Sequence, residues 1–407
     1  LQLSNCRLTA LPEQFGSLRE LEVVSLNENS LDELPESFGG LVALRSCGLL
    51  HNNLRTVPDS FGDLISLEHL TLSYNPISVL PPSFCRLRNL RDLHIYHSAL
   101  AALPDAVGEL RALRYLRLDF NRLEQLPESI GRLAYLQELR LGENMLSELP
   151  ESFGDLRHLS MLYLSSNRLA ALPGSFGQLT SLQKLSLGDN RLAMLPDSFG
   201  SLSALQELSL SQNRLVTLPE SFCRLAALQL LELYHNRLES LPQSFGDLRA
   251  LRILYLGAND LTGLPESFGE LHALRNLSLN ANRLTRLPES FGELAALRSL
   301  SVSANLLVDL PESFGKLRAL QHLRLEGNRI ERLPEAFGDL RSLRTLYLSL
   351  NRLEFLPESF TRLSELHALS LDCNRLKSLP RGFWRLTELQ ELDLRWNTRE
   401  LAFLRGL

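Results

Sequence analysis

Residues 113–135 read LRYLRLDFNRLEQLPESIGRLAY. With Leu113 as position 1, apolar residues occupy positions 1, 4, 6, 11, 14, 18 and 21. Asparagine holds position 9 and proline position 15. The Leu116-x-Leu118 step has the two-residue period of a strand with both leucines turned inward. Pro127 cannot donate to a ladder, so the strand cannot extend there. The segment 128–133, ESIGRL, is too short to hold a helix in isolation. It predicts a 3₁₀ turn or an extended segment on the outer face.

The same register runs outward in both directions with a period of 23 residues. Asparagine returns at Asn29, Asn52, Asn75, Asn121, Asn144, Asn167, Asn190, Asn213, Asn236, Asn259, Asn282, Asn305, Asn328, Asn351, Asn374 and Asn397. Only Cys6 and Ser98 hold that position with another residue. No insertion or deletion interrupts the series, so each unit packs on its neighbours as in a solenoid. One unit alone buries too little apolar surface to offset the entropy of ordering 23 residues. The unbroken register predicts one solenoid domain over 1–397, of 17 to 18 units with the first truncated. Segment 398–407 reads as the irregular start of a C-terminal cap or truncated unit, with Leu401, Phe403 and Leu404 as apolar contacts. The chain opens within a unit and without Met, which reads as a piece of a longer protein.

The pattern L-x-x-L-x-L-x-x-N-x-L, followed by L-P-x-S-F-G-x-L, resembles the leucine-rich repeat family. It is similar to the 23-residue intracellular Ras-group type of repeat. The family's isoleucine is replaced here by phenylalanine in fifteen units, Val107 and Ile130 being the exceptions. The resemblance implies an α/β fold: a curved solenoid with a parallel sheet on its concave face and short 3₁₀ or extended segments on its convex face. It also implies that the unit asparagines bond the backbone of adjoining turns. Asn121, Asn144, Asn167, Asn190, Asn213, Asn236, Asn259 and Asn282 represent that structural ladder, and a buried amide needs such partners in any case.

The formal net charge is −5, without a basic run, which argues against a nucleic-acid partner. No apolar stretch approaches the length of a membrane-spanning helix, and no signal peptide is visible. The five cysteines are scattered; Cys85 and Cys223 replace glycine in two SFCRL segments. Reduced thiols and a cytoplasmic location are expected. A monomer is expected too.

No nucleophile–base pair, phosphate loop or zinc spacing appears, so no catalytic residue, cofactor or metal is assigned. The nearest metal-like set is His69, Asp92, His94, Tyr96 and His97, and recognition surfaces are equally rich in His and Tyr. Ten units carry arginine at position 10 and thirteen carry Asp or Glu at position 16. Both columns read as a solvated rim copied with the repeat.

Positions 3, 5, 7 and 8 are expected to face the hollow. Seven of eight tyrosines fall there: Tyr74, Tyr96, Tyr115, Tyr163, Tyr234, Tyr255 and Tyr347. So do six of nine histidines: His51, His69, His94, His97, His235 and His322. Strand propensity explains part of the tyrosine bias but not the histidines. The richest patch runs from His69 to Glu143, through Tyr74, Asp92, His94, Tyr96, His97, Tyr115, Arg117, Asp119, Phe120, Glu138 and Arg140. Tyr163, Tyr234 and Tyr255 extend the set of candidate contacts. The repeat is also least regular here, at Ser98, Val107, Ile130, Pro76 and Pro82. Such departures gather at functional sites. The sequence therefore predicts a non-catalytic protein-recognition scaffold that binds a protein partner on the concave sheet. The alternative is a regulatory or substrate-recognition arm of a larger enzyme, such as a GTPase, kinase or ubiquitin ligase.

Overall fold

The computed structural model describes residues 1–398; the apolar contacts expected of Leu401, Phe403 and Leu404 lie outside them. The chain divides into two compact units, 1–205 and 206–407. Each repeat contributes a three-residue strand at positions 3–5 and a 3₁₀ turn near positions 16–20. Among the described residues the helical component is 3₁₀ only.

In the first unit the strands are β1 (Val23–Ser25), β2 (Ser46–Gly48), β3 (His69–Thr71), β4 (Asp92–His94), β5 (Tyr115–Arg117), β6 (Glu138–Arg140), β7 (Met161–Tyr163) and β8 (Lys184–Ser186). They pair in parallel and in chain order, each residue opposite its counterpart 23 positions on. The second unit holds β9 (Glu207–Ser209), β10 (Leu230–Glu232), β11 (Ile253–Tyr255), β12 (Asn276–Ser278), β13 (Ser299–Ser301), β14 (His322–Arg324), β15 (Thr345–Tyr347), β16 (Ala368–Ser370) and β17 (Glu391–Asp393). These too pair in parallel and in order.

The inward residues of the L-x-L step are buried from Val24 to Leu371, and Leu116 and Leu118 are fully so; Leu1 and Leu392, in the end coils, are exposed. Three residues after each strand, position 8 turns to positive φ, at His51 (54°), Tyr74 (56°), His97 (50°) and Phe120 (55°), for example. That twist aims the position 9 asparagine into the coil. Asn144 is typical. Its Oδ1 accepts from Leu123 N (3.0 Å) and its Nδ2 donates to Leu118 O (2.9 Å) and Leu141 O (3.1 Å). Asn121, Asn167, Asn190, Asn236, Asn259 and Asn282 repeat this bridge between coils. Asn213 donates to Leu210 O and Ser211 O. Ser98 is too short for the task, and its buried Oγ has no hydrogen-bond partner among the described residues.

On the outer side the position 18 phenylalanines stack face to face. Centroids lie 5.8 Å apart from Phe15 to Phe38 and 6.0–6.2 Å apart from Phe245 to Phe337. Strands sit only about 4.8 Å apart. Within each unit, therefore, successive coils fan open away from the sheet.

The glycine at position 19 has a steric cause. A Cβ on Gly177 would lie 2.0 Å from Ser198 O, and one on Gly292 2.2 Å from Ser313 O. Cys85, Cys223 and Thr361 carry a side chain at this position. In the coil after each of them the 3₁₀ turn shrinks from five residues to three, at Val107–Glu109, Phe245–Asp247 and Phe383–Arg385. The following backbone moves because it cannot share that volume.

Candidate functional site

The outward positions of β3 to β6 and the turns after them bring together most of the residues singled out in the sequence. Parallel register aligns position 3 as His69, Asp92, Tyr115 and Glu138, and position 5 as Thr71, His94, Arg117 and Arg140. The inward leucines fix the backbone, so these outward side chains are free to vary.

The turn edge of the face carries a row of rings. His51 stacks on Tyr74 at 4.2 Å, Tyr74 on His97 at 4.6 Å and His97 on Phe120 at 4.0 Å, with interplanar angles of 10–18°. Tyr96 meets Tyr74 and His97 edge-on. All four stacked residues are exposed and all have positive φ. Bulky side chains pay a conformational cost there. Other coils place Ala258, Ala281, Ala304 or Gly327 at this position.

Beside the row lies a charged network. Glu138 is buried, with 4% of its surface exposed. Its Oε1 accepts from Arg140 Nε at 2.5 Å and lies 3.4 Å from Arg117 Nη2. Arg140 also sits over the Tyr163 ring at 4.6 Å. The pairing with Glu138 raises the Arg140 pKa against the opposing effect of burial, which is the largest single influence. Arg117 is less well served: its Nε is buried without a partner among the described residues. Burial pushes the Asp119 carboxyl up, although its Oδ1 accepts from Gly142 N at 3.1 Å. Burial, then the Arg117 charge, holds His94 below the ordinary histidine range. His94 therefore stays neutral to lower pH than an exposed imidazole.

A hollow of about 390 Å³ opens on the sheet beside this network. Ser25, Gly48 and Thr71 give it a low floor, and Val23, His69 and Asp92 help to wall it. His69 Nδ1 bonds the Asp92 carboxylate. The five residues weighed as a metal set are thus engaged in a hydrogen bond and ring contacts. No group of acids, histidines and cysteines among the described residues has the geometry to hold a metal ion. Likewise, no helix among the described residues is long and apolar enough to cross a membrane.

The profile of the leucine-rich repeat region matches residues 104–195, 192–280 and 311–407. Two further leucine-rich repeat profiles match residues 1–54 and 66–87. The chain belongs to the leucine-rich repeat family. A leucine-rich repeat protein of Leptospira interrogans is similar at 30% identity, over 96% of this chain and 94% of that one, with a TM-score of 0.73. The Toll protein of the Drosophila Toll–Spatzle complex is similar at 26% identity, over 92% of this chain and 50% of that one, with a TM-score of 0.70. The ectodomain of the Arabidopsis receptor kinase HAESA, in complex with an extended IDA peptide hormone, is similar at 27% identity. That match spans 95% of this chain and 72% of the other, with a TM-score of 0.68. No curated protein sequence matches the chain.

The leucine-rich repeat face of the first unit gathers His69, Tyr74, Asp92, His94, Tyr96, His97, Tyr115, Arg117, Asp119, Phe120, Arg140 and Tyr163 on neighbouring coils. Tyr234 and Tyr255 belong to the second unit, where Tyr234 meets His235 edge-on. Sequence reasoning left His51 outside the patch, although it forms the first ring of the row. Its position 8 register was the available signal. Gln137, which accepts from the Tyr115 hydroxyl at 3.2 Å, was also missed. It sits at position 2, outside the positions expected to face the hollow.

Proposed function

We propose that this protein is a non-catalytic recognition module that captures a segment of a protein or peptide on the sheet face of β3 to β6. One observation carries the reading: the exposed, strained row from His51 to Phe120, set beside an under-satisfied guanidinium. Rigid aromatic surface and arginine are the usual anchors of protein interfaces. The row presents ring edges, Tyr96 adds a wall, and the hollow at Gly48 leaves room for one inserted side chain. Arg117, whose side chain is partly exposed, can offer its outer N–H groups to a carboxylate of the partner, since a guanidinium fork matches a carboxylate. The likeness to HAESA and Toll, each solved with a bound peptide or protein, supports a polypeptide partner. The HAESA likeness also favours a second reading, as the recognition arm of a larger enzyme; the complete reading frame separates the two. Five free cysteines support a reducing compartment such as the cytoplasm.

The test is to pan a random peptide library against the protein and rank the binders by fluorescence anisotropy. Binders should carry an acidic residue near an aromatic or aliphatic one. The variant Tyr96→Ala/Arg117→Ala should weaken them at least about thirtyfold, since hot-spot anchors contribute about 2 kcal/mol or more each. Binders indifferent to that variant, yet lost in Ser278→Ala/Ser299→Ala, would move the site to the second unit.

A further inference from the structure

The second unit carries two rows of opposite charge, one on each edge of its coils. On the edge that leads back into the strands, position 2 reads Arg252, Arg275 and Arg298 in succession. Their backbones are tied in line, Arg275 N to Arg252 O and Arg298 N to Arg275 O, each at 2.8 Å. All three side chains are exposed, and none has an acidic or hydrogen-bonding partner among the described residues. The same column in the first unit shows the neutralised arrangement. There Glu68 stands between Arg45 and Arg91, 3.6 Å and 3.2 Å away.

On the edge that leads away from the strands lies a groove of about 800 Å³. Its floor is apolar, made by the Leu-Pro pairs of four coils from Pro288 to Pro357. One wall is the row Glu266, Glu289, Glu312 and Glu335; Asp309 adds a further carboxylate, and Phe355 stands exposed at one end. Arg286 and Arg332 are the two cations of the lining, so carboxylates outnumber them. Several earlier carboxylates of this column are occupied. Glu151 accepts from Gly174 N and Ser175 N, and Glu220 from Gln243 N. From Glu266 to Glu335 no such bond or ion pair is present among the described residues.

We propose that the groove receives the Arg252–Arg275–Arg298 row of a second copy of this chain. Both rows repeat once per coil, so one guanidinium meets one carboxylate at successive rungs. The spacing is about 4.8 Å at the strand edge and 6.0–6.2 Å at the phenylalanine stack. The mismatch of about 1 Å per rung is within the reach of a flexible arginine stem. The Leu-Pro floor covers those stems, and Phe355 can pack against one of them. The two surfaces differ, so the contact is head-to-tail. It leaves a free arginine row and a free groove at the ends, and growth need not stop at two copies. Such association replaces the monomer expected from the sequence.

The test is sedimentation analysis of the full chain from about 5 to 500 μM. In about 50 mM NaCl the average mass should rise with concentration. In about 500 mM NaCl association should weaken at least about tenfold, because exposed charges are then screened. The variant Arg252→Glu/Arg275→Glu/Arg298→Glu alone should stay monomeric. So should Glu289→Arg/Glu312→Arg/Glu335→Arg alone. An equimolar mixture of the two should associate again. A wild-type chain that stays monomeric in low salt overturns the proposal, as does a mixture that fails to associate. An alternating Arg-Gly peptide that binds a monomeric wild-type chain, and not the glutamate-reversed variant, would assign the groove to a foreign basic segment and also overturn it. If a reversed variant melts early, Gln replacements of the same residues should still weaken association at least about threefold.

Discussion

The coils of β3 to β6 and those of β12 and β13 share one backbone and differ on their outward faces. In both, the leucine between the outward positions is buried, as at Leu93 and Leu300, and the strands pair in the same register. Around β12 and β13 the outward residues are short and uncharged: Asn276, Ser278, Ser299 and Ser301, with Ala281 and Ala304 at the positive-φ site. Around β3 to β6 they are rings and charges, and Ser98 interrupts the asparagine bridge. The inward half of a repeat is fixed by packing. The outward half is free, and its densest run of rings and charges falls on the β3 to β6 stretch.

The comparison can be broken most decisively by removing a bridge from the regular stretch. Asn282→Ala strips Leu261 N of its acceptor and Leu256 O of a donor. It should cost about 1–3 kcal/mol, because buried backbone groups lose their partners. A thermal melt that does not shift would show that the bridge is not what holds adjacent coils. Next in size is Gly292→Cys, which forces a Cβ against Ser313 O. A cost of about 1–2 kcal/mol is expected, less than a frank clash, since the coils after Cys85 and Cys223 show how the following 3₁₀ turn can yield. A larger loss in denaturant titration would mean that those coils carry further compensation.

Ser98→Asn sharpens the comparison from the other side. It restores the missing bridge at the patch and should stabilise by about 1 kcal/mol. If melting is unchanged while peptide binding falls, the looser rung serves recognition rather than being a neutral lapse. The smallest effect concerns pH. Burial and the Arg117 charge depress the folded His94 pKa, so the unfolded chain binds its proton more readily. Stability from this group is complete above the ordinary histidine value. It is lost as pH falls from about 6.5 toward the depressed value. His94→Gln should flatten the pH dependence of the melting temperature in that window. A steeper dependence in the variant would contradict the burial of the imidazole.

The fold was legible because its signals are local and repeated. The two-residue L-x-L step, the asparagine at position 9 and the proline at position 15 each speak of backbone conformation, and each recurs in coil after coil. The candidate site was legible only as a cluster of types. That His69, Tyr96 and Arg117 share a face follows from register. The ring row from His51 to Phe120 does not follow. It depends on positive φ at four successive turns, which turns side chains from different coils onto one line.

Sequence alone therefore determined the repeat, the strands, the inward leucines and the ladder of asparagines, since each is set within 23 residues and their nearest neighbours. Tertiary structure alone decided which charges are met and which are left open. Glu138 is buried between two arginines, Arg117 keeps a buried Nε without a partner among the described residues, and Glu266, Glu289, Glu312 and Glu335 line a groove in which carboxylates outnumber cations. Pairing of charges depends on distances between side chains one coil apart, and those are fixed only when the coils stack.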